Sequence, residues 1–188
     1  VALGGQTPLK LSSEIPSELV AGTSPDGIDA AEDRERWNAI CDELQIPQPP
    51  GGTAVDLDQA LTIANAVGFP VLVRPSYVLG GRAMEIVYSE GEFAKFAKFA
   101  LEASSGRPIL IDKFLDNALE IDVDALSDGD DTYIGGIMEH IEAAGIHSGD
   151  SACMIPSRKL NKESLDTIIS YTKSLAKALK VKGLMNMQ

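Results

Sequence analysis

The sequence predicts an α+β fold, or α/β in the looser sense, and three observations carry that reading. Apolar runs such as "FPVLVRPS" and "EIDVDALSDG" have the short length and period-two alternation of strands. Between them lie stretches whose apolar residues recur every three or four positions, opened by Asp, Ser or Asn and closed by glycine or proline. The composition, 44% hydrophobic and 23% charged over 188 residues, suits one substantial globular domain or two small ones.

Taken in order, "VALGGQTPLKL" reads as the end of a strand followed by a Gly-Gly turn. Asp29 and Glu32 have the spacing of a capping box, predicting one helix through about Leu44 with Trp37, Ile40, Cys41 and Leu44 apolar. "QIPQPPGGT" breaks the chain and separates two subdomains. Asp56 and Gln59 open a second helix that Gly68 stops. A strand over Phe69–Val73, a Gly-Gly hairpin and a strand over Glu85–Tyr88 follow. Ser89 and Glu92 cap the next helix, with Phe93, Phe96, Ala97, Ala100 and Leu101 as its buried stripe. "PILIDKFL" is a short buried strand. "ALEIDVDALSDG" and "TYIGGIMEH" are longer ones, Ile134, Gly136, Met138 and His140 sharing a face in the latter. "NKESLDTIISYTKSLAKALKVKG" is an amphipathic helix that Gly183 should end, and "KGLMNMQ" begins another strand.

Composition also excludes classes. A net charge of −12 argues against nucleic-acid binding, which demands a basic face. No apolar run reaches the roughly 20 residues of a membrane span, so no membrane partner is expected. Cys41 and Cys153 fit no metal or redox spacing and read as buried thiols in a reducing compartment. A serine-hydrolase reading of Ser148, Ser151 and His147 lacks a nucleophile elbow.

In so acidic a chain, local positive charge is informative. Arg74 and Arg82 bracket Gly80 and Gly81 in "RPSYVLGGR", a hairpin suited to covering a phosphate, although a hairpin with solvated arginines is an equal reading. Glu120, Asp122 and Asp124 share one strand face. Asp122 and Asp124 are expected to be solvated, whereas Glu120, beside "DKFL", is a candidate acceptor for hydroxyl groups. His140 reads as a structural strand histidine. His147 lies in "GIHSGDSA", a loop rich in glycine, serine and backbone amides of the kind that lines ligands.

These segments carry a resemblance. "GGQTPLKL", "GTSPDGIDAAEDRERW", "FPVLVRPSYVLGGRAMEIVY", "EIDVDALSDG", "IGGIMEHIEAAGIHSGDSACMIP" and "KGLMNMQ" together resemble the large subunit of carbamoyl-phosphate synthase, over essentially the whole chain. The "GGRAME" form is closest to the second, carboxy-terminal ATP-grasp half. The resemblance implies an ATP-grasp fold of two α+β subdomains, preceded by the end of a Rossmann-like domain and incomplete at both ends. On that basis residues 1–28 end the preceding domain and 29–52 form a connecting helix and linker. Residues 53–112 form the lid subdomain and 113–188 a truncated central subdomain.

The implied activity is that of an ATP-dependent ligase phosphorylating carbamate to carbamoyl phosphate, for arginine and pyrimidine biosynthesis. Arg34 and Arg74 are the implied catalytic arginines. Arg74, Gly80, Gly81, Arg82, Lys113, Leu115, Glu120, Gly145, Ile146, His147 and Ser148 are the implied nucleotide contacts. Glu120 would accept ribose hydroxyls and Leu115 would offer its backbone to adenine. Lys113 stands where many relatives have histidine. Gln188 is the implied ligand for Mg²⁺ (or Mn²⁺), but the Glu-x-Asn motif that supplies the family's main metal carboxylate is absent from this sequence. The chain itself is therefore expected to be inactive. Implied partners are the rest of the large subunit and a glutaminase small subunit, in the cytoplasm, or in the plastid of a plant. Two alternatives stay open: another ATP-grasp carboxylate ligase of the biotin carboxylase kind, and a nucleotide-binding module without turnover.

Overall fold

A computed structural model describes residue 11 and residues 14–75, 84–104, 107–143 and 150–188. The hairpin tip with Gly80, Gly81 and Arg82, and the loop with Gly145, Ile146, His147 and Ser148, lie outside the described residues. The chain divides into two units, Val1–Gln48 with Leu119–Gln188, and Pro49–Ala118.

The Pro49–Ala118 unit is an antiparallel sheet covered by two helices. Its strands are β1 (Gly51–Ala54), β2 (Val71–Pro75), β3 (Glu85–Val87) and β4 (Ile109–Lys113), in the order β1-β4-β2-β3. Between them lie α3 (Leu57–Val67) and α4 (Glu90–Ala103). Asp56 caps α3 as expected, its side chain accepting the N–H of Gln59, and Gly68 ends it at φ 76°. Ser89 precedes α4 but makes no backbone cap; its hydroxyl bonds Glu92 instead. Small residues let helix and sheet approach closely. Ala60, Ala64, Ala97 and Ala100 pack with Phe93 on Val71, Val73, Val87, Ile109 and Ile111, all within 1% of complete burial.

The other unit contains α1 (Pro25–Glu32), α2 (Arg34–Glu43), β5 (Ile121–Asp128), β6 (Thr132–His140), β7 (Cys153–Met154), α5 (Lys162–Ala178) and β8 (Lys182–Met187). Its sheet is antiparallel with order β7-β6-β5-β8. The single helix expected from Asp29 is in fact two. Ser24 caps α1, and Asp33, in extended conformation between the helices, caps α2. Asp29 instead points outward and, with Asp26, holds Arg36 of α2. The helices pack through Ala30, Cys41, Leu175, Ala176 and Leu179, with Trp37 and Ile40 alongside. Gly183 does not stop α5; Lys180, at φ 51°, turns the chain, and Gly183 falls inside β8.

The pairing of β5 with β6 slips by one residue. Asp124 faces Gly136 and Ala125 faces Ile134, so Gly135 is extra. A Cβ on Gly135 would come within 3.2 Å of the Asp124 carbonyl oxygen. The bulge puts Ile134 on the opposite face from Gly136, contrary to simple alternation. Among the described residues no helix is long and apolar enough to cross a membrane.

Glu139, 1% exposed on β6, fixes the segment after β7. Its Oε2 accepts the Ser157 hydroxyl at 2.8 Å and the N–H groups of Arg158 and Lys159 at 3.0 Å each, while Lys159 Nζ stands 3.3 Å from Oε1. These donors, the Lys159 N–H foremost, hold its carboxyl down at about 2. Because the folded value is depressed, this stabilisation is complete above the ordinary value of 4.5 and is lost as pH falls toward about 2. Glu139→Gln should therefore melt below wild type at pH 7, with the gap narrowing as pH falls through that window. Thermal melts followed by circular dichroism would check it; a gap independent of pH would mean the charge is not what holds the segment.

Candidate functional site

Of the described candidates, Arg74, Lys113 and Leu115 belong to the Pro49–Ala118 unit, and Arg34, Glu120 and Gln188 to the other. In the Pro49–Ala118 unit, β2 carries Arg74 and its neighbour β4 carries Asp112. One guanidinium nitrogen of Arg74 stands 3.8 Å from Asp112 Oδ2, and the arginine side chain keeps 43% of its surface exposed. Its Nε is buried with no hydrogen-bond partner among the described residues. The exposed part of the guanidinium is what suits an anion. Gly51 of β1 makes the arrangement sterically feasible. A Cβ there would collide with Asp112 Oδ1 and approach the Ile111 carbonyl oxygen to 2.7 Å.

Lys113 ends β4, and its ammonium is already engaged. Nζ donates to the carbonyls of Gly68 and Phe69 at 3.0 and 2.8 Å, tying β4 to the turn that closes α3. Where a histidine could present its ring to a ligand, this lysine spends two donors on the backbone. Leu115, two residues on, is 52% exposed, and its carbonyl accepts the Ala118 N–H at 3.4 Å.

In the other unit, Glu120 immediately precedes β5, with its side chain 22% exposed. Beside it is a constellation that sequence reasoning missed. His140 has no exposed side-chain surface; its Nε2 lies 2.8 Å from Asp122 Oδ2 and its Nδ1 3.4 Å from Glu120 Oε2. The backbone closes the same contact, since His140 N–H donates to the Glu120 carbonyl at 3.0 Å. Asp122, expected to be solvated, is 6% exposed because it lies across from Met138 on β6, under the histidine ring. Asp124 is exposed as expected, its Oδ1 accepting the Asn186 amide at 2.9 Å. His140 was legible only as part of a pair: its 18-residue separation from Asp122 is what a two-strand hairpin brings together.

Cys153 of β7 pairs with His140 and is exposed, not buried, whereas Cys41 is fully buried and burial pushes its thiol up. Asp122, His140 and Cys153 are the group among the described residues whose ligand atoms could surround a metal, lying within 4.8 Å of one another. Asp122 Oδ2 and His140 Nε2 are already bonded to each other. Gln188 is exposed just past β8, and Arg34, half-buried, opens α2.

Comparison with known proteins bears on these groups. The family model for the carbamoyl-phosphate synthase L chain, ATP binding domain, matches residues 33–188. The carbamoyl phosphate synthase large chain of Archaeoglobus fulgidus is 56% identical over 190 residues, covering 100% of this chain and 18% of the relative. The C-terminal section of that large chain from Methanocaldococcus jannaschii is 54% identical, with 100% and 31% covered. Among solved structures, VanG D-Ala:D-Ser ligase from Enterococcus faecalis superposes with a TM-score of 0.75 at 18% identity, over 96% of this chain and 54% of that one. Biotin carboxylase from Campylobacter jejuni gives 0.74 at 19%, over 88% and 38%. At such identities these two likenesses show the fold, which is ATP-grasp, and no more.

The engagement of Lys113 has a measurable consequence. Lys113→Met should leave two backbone carbonyls without a donor and cost about 1–3 kcal/mol of stability. Urea unfolding would read it, and an unchanged midpoint would mean the lysine is held for a ligand instead.

Proposed function

Because the chain belongs to the carbamoyl-phosphate synthase large-chain ATP-binding family, we propose that it forms part of an enzyme that transfers the γ-phosphoryl group of ATP to carbamate. The chain spans 18% of the first relative and 31% of the second, so this activity is proposed for the whole protein. The observation that carries the reading is Arg74, a half-exposed guanidinium on the strand leading into "GGR" in a chain of net charge −12.

In this reading a carbamate oxygen attacks the γ-phosphorus in line. The bond to the β–γ bridging oxygen breaks, and carbamoyl phosphate and ADP form. Phosphoryl transfer of this kind needs positioning and charge stabilisation more than covalent help. Arg74 offsets charge on the phosphoryl oxygens through the exposed part of its guanidinium, with Asp112 standing beside one terminal nitrogen. Leu115 offers backbone groups to the adenine and Glu120 accepts the ribose hydroxyls. Arg34 serves the carbamate end. Gly80, Gly81 and Arg82, within residues 53–112, and Gly145, Ile146, His147 and Ser148, within 113–188, are assigned to nucleotide contact. Lys113 acts through the backbone it ties down. Because carbamate hydrolyses readily, exclusion of water is part of the function.

Mg²⁺ or Mn²⁺ would accompany the triphosphate, and Gln188 is the residue assigned to it. A single exposed amide oxygen does not make a magnesium site, which takes carboxylate and phosphate oxygens, so no step is assigned to the ion here. The rest of the large subunit and an ammonia-supplying glutaminase subunit are the proposed partners.

Two substitutions test the assignment in the full-length protein. Arg74→Ala should slow carbamate-dependent phosphoryl transfer roughly 10²-fold, about 3 kcal/mol, while bicarbonate-dependent ATP cleavage is largely spared. Equal loss of both partial reactions would make Arg74 structural. Glu120→Ala should weaken nucleotide binding far more than Asp124→Ala; equal, wild-type affinities for both would remove the ribose role.

A further inference from the structure

We infer that Asp122 is a positioning residue: through the buried ring of His140 it fixes the Glu120 carboxylate, and with it the preference of the site for a ribose over a deoxyribose. The inference rests on the reading of Glu120 as the ribose acceptor.

The geometry is costly unless it is used. An imidazole without exposed surface stands between two carboxylates, and Asp122, itself 6% exposed, has its Oδ1 buried with no hydrogen-bond partner among the described residues. A buried carboxylate oxygen without a donor is destabilising, and packing alone does not call for it. The arrangement does one thing well. An imidazole turns about a single soft torsion, and the 2.8 Å contact fixes that torsion with Nε2–H donating to Asp122 Oδ2. With the ring plane fixed, Nδ1 sits 3.4 Å from Glu120 Oε2; the two atoms make no hydrogen bond with each other, and the ring limits by its bulk the rotamers open to that carboxylate. The backbone bond from His140 N–H to the Glu120 carbonyl sets the distance between the two residues independently of either side chain. Asp122 and Glu120, two apart on one strand face, are thus linked through a ring supplied by the next strand. A carboxylate held in one rotamer can accept two vicinal hydroxyls together; a carboxylate free to rotate accepts either one, and distinguishes poorly between a nucleotide with both and a nucleotide with one.

The test uses the full-length protein in the reverse direction, forming ATP from carbamoyl phosphate with either ADP or 2′-deoxy-ADP. The reading is the ratio of the two KM values. Asp122→Asn should raise the KM for ADP about tenfold with little change in kcat, and should shrink the deoxy-to-ribo ratio to the value seen for Glu120→Gln. The double variant should lose no more than Glu120→Gln alone, because the two residues act as a unit. His140→Gln serves as a second probe of the same link should Asp122→Asn fail to fold. If Glu120→Gln loses discrimination while Asp122→Asn and His140→Gln keep it, the positioning role is wrong and the ribose role stands. If Glu120→Gln itself retains full discrimination, the ribose role falls and the positioning role with it.

Discussion

Three buried carboxylates set the terms for the rest of the fold. Glu139, Asp122 and Asp112 are 1%, 6% and 8% exposed, and a buried carboxylate is tolerable only where donors or positive charge meet it. Each has a different solution. Glu139 is surrounded by the hydroxyl and backbone N–H groups of residues 157–159, Asp122 by an imidazole, and Asp112 by the guanidinium of Arg74. In a chain of net charge −12, these pairings use cations and donors that are scarce. They also sort by role. The Glu139 arrangement holds a loop. The other two lie beside the residues to which a nucleotide is assigned, where a carboxylate that steers another side chain has a use beyond stability.

Much of this was legible in the sequence, for reasons that can be named. The α+β alternation, the Asp56 and Asn161 caps and the buried stripe of α4 follow from local chemistry, and local chemistry is what a single sequence records. The ATP-grasp fold came from long motifs rather than from periodicity. What failed was non-local or subtle. A capping-box spacing at Asp29 and Glu32 was outcompeted by two better caps, Ser24 and Asp33, each with a side chain that actually reaches an N–H three residues ahead. Glycine is the usual left-handed residue at a helix stop, yet Lys180 occupies that conformation and Gly183 lies inside β8.

The site residues divide in the same way. Arg74 could be singled out because an arginine before a Gly-Gly turn is conspicuous in an acidic chain. His140 could not, since its meaning depends on Asp122 arriving from the neighbouring strand with the right face, and the face is decided by pairing rather than by either residue. Lys113 is an intermediate case. The sequence marked it as unusual, but only three dimensions show its ammonium spread across the Gly68 and Phe69 carbonyls.

The extra residue at Gly135 divides β6 into two independently phased halves. On one side, the stretch to His140 keeps its alternation with Asp122 and Asp124; on the other, Ile134 and Tyr133 follow a register of their own with Ala125 and Leu126. With it, Tyr133 and Ile134 present their side chains beside the Asp128–Asp131 turn in one phase, while the stretch to His140 keeps the phase that aims the ring at its carboxylates.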